Sequence, residues 1–404
     1  MKKILFYSHF YFPEVGAAAV RMKYFTEALK SLNAEIKIIN PVPNYPNGKN
    51  FSGVKRFFYK ENNITYLPIY IPKIDSPLKR LFSYCSYFFS SLVYSAFSNY
   101  KPDVIISSSP PIFTSLAAAL LSKFMGAKFI LDIRDIWPDI GIELGIIKNK
   151  SVVGILFAIE KFILSTAQKV IVTAEGDKQN LENKGIPSDK ISIIYNGADT
   201  EVFKPINQSE KVLIRNKYKI PIDKKVIIYF GSYNQGMNDI ETLGKFLISD
   251  RFINRNIHFL SIGSGVNLEN LIQMVDGKIS YNTIASLPME EVAKLVAASD
   301  ISIIPRKNIR NDTGGNIPVK CFESWACGIP VLLSNIEDAE VSDIFKKCES
   351  GVLVNPDSIE ELVDGLEILL NSNLNEIGKK GRAFVVENFD RKKQSQKLAK
   401  IIIL

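Results

Sequence analysis

Short runs rich in isoleucine and valine alternate with longer stretches of helical period along nearly the whole chain, and few folds accept that rhythm. It is the signature of βαβ units wound into parallel sheets. The first half offers strands at Ile4–Tyr7, Glu35–Ile39, Val104–Ser107, Phe129–Asp132, Val170–Val172 and Ile191–Tyr195. The second half repeats the design at Val226–Phe230, His258–Ile262, Ile279–Thr283, Ile301–Ile304 and Pro330–Leu333. The rhythm breaks at Asn196–Gln208, where Asn-Gly, a proline and polar residues follow a strand, and this predicts the domain boundary. Val54–Pro77 holds three prolines and reads as a loop or a short β excursion. The chain is thus expected to be an α/β protein of two Rossmann-like, doubly wound domains. Ligands of such sheets bind beyond the carboxyl ends of the strands, so a central cleft is expected there and function should be sought in the loops after the strands.

Composition narrows the class. A length of 404 residues suits two domains rather than one small core. Cys85, Cys321, Cys327 and Cys348 show no CxxC spacing, and His9 and His258 are the only histidines available to join them. A disulfide framework or zinc site is not expected, and a reducing compartment is the better reading. The start of the chain, Met1 to Ser8, ends its apolar run too early for a signal peptide and reads as a first buried strand. The net charge of +8 is concentrated: residues 1–100 carry 13 Lys and Arg against 5 Asp and Glu, whereas the remainder balances at 37 each. No RNA-binding motif accompanies that excess, so an anionic membrane face or a phosphate-bearing acceptor is expected rather than nucleic acid.

Two segments carry the chemistry. Phe12 to Arg21 turns through Gly16, Ala17, Ala18 and Ala19 into a helix, where small side chains and free N–H groups suit an anion; tight packing by alanines is the plain alternative. Thr313-Gly314-Gly315-Asn316-Ile317-Pro318-Val319-Lys320 leads to Glu323 and Gly328. Pro318 and Gly328 suit the two ends of a short helix. Lys320 places a cation near its start and Glu323 lies one turn on, a pairing that fits diphosphate and ribose hydroxyls but equally fits a surface ion pair.

At this point the sequence resembles glycosyltransferase family 4, the retaining transferases with the GT-B fold. The resemblance rests on Tyr11-Phe12-Pro13-Glu14, Pro43-Asn44-Tyr45-Pro46-Asn47-Gly48-Lys49, Asp132-Ile133-Arg134-Asp135-Ile136-Trp137-Pro138, Tyr195-Asn196-Gly197-Ala198-Asp199, and Ile317 to Glu323. It is similar in particular to fucosamine transferases of O-antigen and capsule synthesis, whose acceptors are sugars on undecaprenyl diphosphate. The resemblance implies a UDP-sugar donor as co-substrate, no cofactor, a lipid-linked acceptor, and a cytoplasmic protein peripheral to the inner face of the membrane. The expected division is residues 1–200 for the acceptor, 201–385 for the nucleotide sugar, and a helix at 386–404 packing back on the first domain.

Carried over residue by residue, the resemblance gives Glu323 the ribose, with Ile317, Ile284 and the Gly263-Ser264-Gly265 turn as further donor contacts. Gly315 stands eight positions before Glu323, where relatives hold a first glutamate. After Val226–Phe230, where many relatives have Arg and Lys, this chain has Asn234 and Gln235. Lys320, the amides of Gly16 and Ala17, and Arg306 would then stabilise the leaving diphosphate; Arg306 reads equally as a solvated loop residue. Asp135 is the residue expected to orient or partly deprotonate the acceptor hydroxyl, with helix capping as its plain role. Arg134, Trp137 and His9 are expected on the acceptor side, although a structural role suits His9 as well. No D-x-D occurs, so no metal is expected. Two other classes remain open: a non-catalytic partner that kept the fold, and a sugar-nucleotide epimerase. Residues 78–100 are expected to form a helix on the membrane, with an ordinary core-facing helix of the first domain as the plain alternative; its stripe is Leu78, Leu81, Phe82, Cys85, Phe88, Phe89 and Leu92. Tyr84, Tyr87, Tyr94 and Tyr100 are its expected interfacial rings, and Lys49, Lys55, Arg56, Lys60, Lys73, Lys79 and Arg80 its basic flank.

Overall fold

The computed structural model describes residues 1–14, 16–44, 58–72, 77–234, 236–308, 317–336 and 339–403, apart from the side chains of residues 77, 78 and 339. Gln235, the Gly314–Gly315 turn and the basic residues Lys49, Lys55, Arg56 and Lys73 lie outside the described residues. The chain divides into two compact units, one built on Met1–Asn196 with Lys392–Leu404, the other on Gly197–Arg310 with Ile317–Arg391.

The first unit is an eight-stranded sheet. Its strands are β1 (Lys3–Tyr7), β2 (Glu35–Pro41), β3 (Tyr59–Glu61), β4 (Ile64–Leu67), β5 (Val104–Ser109), β6 (Lys128–Ile133), β7 (Lys169–Val172) and β8 (Ile191–Ile193), in the order β3-β4-β2-β1-β5-β6-β7-β8. All pairings are parallel except β3 with β4, a small antiparallel hairpin inside the expected excursion. Because β1 pairs with both β2 and β5, the winding reverses there, and its register sets Ile4 opposite Ile36 and Val104. Both faces of the sheet are covered, which is why the strands are continuous apolar runs rather than alternating ones. Helices α1 (Ala17–Ser31), α2 (Pro77–Ala96), α3 (Ile112–Met125), α4 (Asp139–Glu143) and α5 (Lys150–Thr166) belong to this unit. The last helix, Arg391–Ile403, inserts Leu398, Ala399 and Ile402 among Ile4, Phe6, Met22 and Ile106.

The second unit holds β9 (Lys225–Ser232), β10 (Ile257–Ser264), β11 (Ser280–Ile284), β12 (Ile301–Pro305), β13 (Val331–Ser334) and β14 (Gly351–Val354), in the order β11-β10-β9-β12-β13-β14 and wholly parallel. Its reversal falls between β9 and β12. β14 has no counterpart in the sequence reading, because four residues after a polar stretch show too little periodicity to register. Local chemistry starts the helices: Asn149 accepts hydrogen bonds from the Ser151 and Val152 amides, and Asn207 with Glu210 forms a capping box.

Helix α2 corrects the expected stripe. It ends at Ala96 rather than at residue 100, before Asn99 and Pro102, which do not continue a helix. Tyr87 is fully buried and donates toward the carbonyls of Ser8 and Ile39, at 2.9 and 2.8 Å. Tyr100 is buried too, and donates to the Glu35 carbonyl at 3.3 Å. Neither is an interfacial ring. Phe88 and Leu92 pack against the core, while Phe82 and Phe89 face outward.

Candidate functional site

In the second unit the sequence-predicted residues gather at the carboxyl ends of β9 to β12. The helix Val319–Ala326 begins after Pro318, whose extended backbone (φ −60°, ψ 126°) turns the chain in, and Gly328 leaves it in the left-handed conformation. This puts Lys320 beside the winding reversal between β9 and β12, where doubly wound sheets take their ligands. Its Nζ lies 3.4 Å from the Tyr229 hydroxyl, 3.3 Å from Asn238 Oδ1 and 4.5 Å from the centre of the Tyr229 ring. Among the described residues no carboxylate lies within ion-pair distance of that ammonium. Burial pulls Lys320 down to about 8, and the charge of Arg306 pushes the same way. Arg306 itself is buried, its amide bonded to Ser334 at the end of β13. The two cations thus act on one another in a poorly solvated place.

Glu323, one turn along the helix, is largely buried, and its Oε1 lies 3.4 Å from Arg391 Nη2. Burial raises its carboxyl above the usual range, against the pull of Arg391 and Lys320. Arg391 in turn donates to the Gly197 carbonyl at 2.8 Å. The carboxylate is therefore oriented without being consumed by a short ion pair.

The glycines at the strand ends are required by close approach. Gly231 has φ +136°, and a Cβ there would stand 2.8 Å from Lys320 Nζ. Gly263, at φ +142°, would place a Cβ on the Gly231 carbonyl, and Gly265, at φ +153°, would place one on the Tyr233–Asn234 backbone. Asn234 is committed to this turn, since its Oδ1 accepts from the Val266 amide at 3.3 Å. Ile284 closes β11 half-buried, and Ile317 is buried ahead of the helix. The partners Tyr229, Asn238 and Gly231 escaped sequence reasoning. The only signal was a tyrosine and a glycine closing an apolar strand.

The first unit makes its own cluster at the reversal between β1 and β5. His9 follows β1, is buried, and has its ring edge-on to Phe10, Tyr84 and Tyr87 at 4.9 to 5.3 Å. Burial and the charge of Arg134 push its imidazole down to about 3, so it stays neutral, and its Nδ1 has no hydrogen-bond partner among the described residues. Arg134 donates to Ser108 Oγ at 3.0 Å and to the Pro110 carbonyl at 2.5 Å. Burial lowers its pKa, while Asp135 and Asp132 favour its charge. Asp135 is half-buried beside it.

Four further residues of this unit differ in kind. Asp132 does not project beyond the strand: it is fully buried in β6 and paired with Arg21 at 2.8 Å, with Ser108 donating to it. Trp137 packs on Gly141, where a Cβ would come within 2.7 Å of its ring, so the ring braces α4. Gly16 precedes α1 in extended backbone, φ 172°, without a side-chain cap, and Ala17 is exposed at the helix start.

Comparison with known proteins agrees with this construction. Residues 18–202 match Glycosyltransferase Family 4 and residues 210–385 match Glycosyl transferases group 1. WcaI of Escherichia coli strain K12, a glycosyl transferase assigned by name to colanic acid biosynthesis, is 26% identical over 90% of this chain and 91% of its own. Sucrose-phosphate synthase from Thermosynechococcus elongatus superposes with a TM-score of 0.75 at 17% identity, covering 100% of this chain and 98% of that one. HepE from Anabaena, in complex with UDP-glucose, superposes at 0.69 with 13% identity, covering 100% and 99%. The chain is a glycosyltransferase of the GT-B fold, with a family 4 domain in its first half and a group 1 domain in its second.

Proposed function

We propose that the protein transfers a sugar from a UDP-sugar to a sugar carried on undecaprenyl diphosphate, in the synthesis of a surface polysaccharide at the inner face of the cytoplasmic membrane. The donor sugar proposed is an N-acetylated deoxyhexosamine such as N-acetylfucosamine, and the anomeric configuration is retained. The observation that carries the reading is the Lys320 ammonium at the carboxyl ends of β9 and β12, held by a hydroxyl, an amide oxygen and a ring, with Glu323 one turn on. The colanic acid assignment of WcaI and the UDP-glucose held by HepE support the polysaccharide and the donor class.

In the proposed reaction the bond between the sugar C1 and the β-phosphate oxygen breaks, and its electron pair leaves with UDP. The acceptor hydroxyl oxygen bonds to C1 on the same face, and its proton passes to the departing phosphate. Lys320 and Arg306 stabilise the charge that grows on that phosphate, an effect realised mainly in the transition state. Glu323 accepts from the ribose hydroxyls. In the first unit, Asp135 orients the acceptor hydroxyl, Arg134 and neutral His9 line its position, and the amides at the start of α1 favour an anionic group. No metal takes part in this scheme.

The test is incubation of the protein with UDP-sugars, with and without lipid-linked acceptor. Transfer that needs the acceptor, with the donor recovered unchanged in its absence, is the expected result. Epimerised donor in the absence of acceptor would contradict the proposal.

A further inference from the structure

Helix α2 turns a row of large apolar side chains outward. Its most deeply buried positions are Ser83, Tyr87, Ser91 and Ser95, with Phe88 and Leu92 packed beside them, whereas Phe82, Phe89 and Val93 on its outer side and Phe97 just past its end are 59, 64, 59 and 87% exposed. The first three outward positions are seven and four residues apart and so share one side of the helix, with Phe97 one turn on. The inward hydroxyls are satisfied within the fold: Ser91 donates to the Phe88 carbonyl at 3.0 Å, and Tyr7 shares a hydrogen with Ser95. Folding therefore gives no reason for the outer phenylalanines.

The neighbouring helices extend the same character. α3 packs against both α2 and α5. On α3, Leu120 and Phe124 are exposed, the latter by 75%; on α5, Val152 and Ile155 are exposed. At about 150–250 Å² per ring, the four outward phenylalanines alone expose roughly 400–700 Å². That matches or exceeds the largest apolar patch of an ordinary monomer.

Charge selects the occupant. The basic residues of the three helices are Lys79, Arg80, Lys123, Lys150 and Lys161. The one acidic residue is Glu160, which is turned inward and paired with Lys184 at 2.7 Å. Among the described residues of these three helices, five cations stand against one inward-turned carboxylate, a balance that complements an anionic lipid surface, where rings enter the acyl boundary and lysines meet headgroups. No helix among the described residues is long and apolar enough to cross a membrane, so the face would lie on the bilayer.

We infer that the outer faces of α2, α3 and α5 form one docking surface for an anionic bilayer, with Phe82, Phe89, Phe97 and Phe124 as the inserting side chains. This deepens the reading of a lipid-linked acceptor, yet it is measured without turnover, so either can fail alone. The experiment is co-sedimentation with phosphatidylglycerol and with phosphatidylcholine vesicles at low and high salt. Four proteins are compared: the wild type; F82S/F89S/F97S/F124S; K79E/R80E/K123E/K161E; and a control, L213S/I368S, whose exposed apolar residues lie in the second unit. Wild type and control should bind phosphatidylglycerol vesicles. The phenylalanine variant should bind about tenfold more weakly or worse at either salt, and the charge variant should lose the preference for phosphatidylglycerol. Thermal melts should show each of the four folded at the assay temperature, so that a loss of vesicle binding is not a loss of structure. No vesicle binding by wild type, equal binding by the phenylalanine variant, or a wild-type dimer that this variant dissolves without any vesicle binding would each overturn the inference. The last outcome would make the face a contact between copies of this chain.

Discussion

Lys320 shows what one residue's surroundings dictate. A free lysine keeps its proton to about pH 10.5, whereas this one keeps it only to about 8. Between those values the unfolded chain binds more protons than the folded one, so stability rises with pH there, and below about 8 the charge is a standing cost of the ligand-free fold. Lys320→Met should therefore raise the melting temperature of the ligand-free protein at neutral pH, weaken nucleotide binding, and lower turnover by more than it weakens donor binding. A lower melting temperature with binding intact would show that the ammonium serves the fold and not a ligand. The sequence pointed to Lys320 because a cation at a glycine-preceded helix start has a recognisable spacing. Its holders, Tyr229 and Asn238, are 91 and 82 residues away, a distance no local pattern spans.

At the scale of elements, the strands were the most legible part, since a parallel strand buried on both faces is an unbroken apolar run. Helix α2 was half legible. Its extent follows from period, but which side faces inward depends on whether small serines or large rings fit against α3, and only packing decides that. The glycine turns at the ends of β9 and β10 give this scale its prediction. Gly263→Ala should destabilise the second unit by about 1–3 kcal/mol or more, because the added methyl meets backbone at a φ that alanine rarely adopts. Gly231→Ala meets the flexible end of Lys320 as well, so it should lower nucleotide affinity by more than its own loss of stability accounts for. Denaturant melts paired with nucleotide titrations separate the two effects. Equal affinity in Gly231→Ala and wild type would detach that glycine from the site.

For the molecule as a whole, the doubly wound architecture was legible because the rhythm of strand and helix runs through it twice. The site was legible only as two separate motifs, since the partners that complete each are set by sheet order. Turnover should survive excess EDTA: the chain has no D-x-D, and Lys320 supplies positive charge that a divalent ion would otherwise provide. Activity lost on chelation and restored by magnesium or manganese would contradict this. The central claim, that the strand ends of the second unit bind a nucleoside diphosphate through Lys320 and Glu323, is tested most directly by calorimetric titration of UDP. The titration is run at about pH 8.5 in two buffers of different ionisation enthalpy, into wild type and Glu323→Ala. Wild type should bind UDP with proton uptake, because an anion restores the charge on Lys320, and Glu323→Ala should bind about 1.5–3 kcal/mol more weakly while still taking up the proton. UDP that fails to bind, or that binds with no proton uptake and equal affinity for both proteins, would contradict the account.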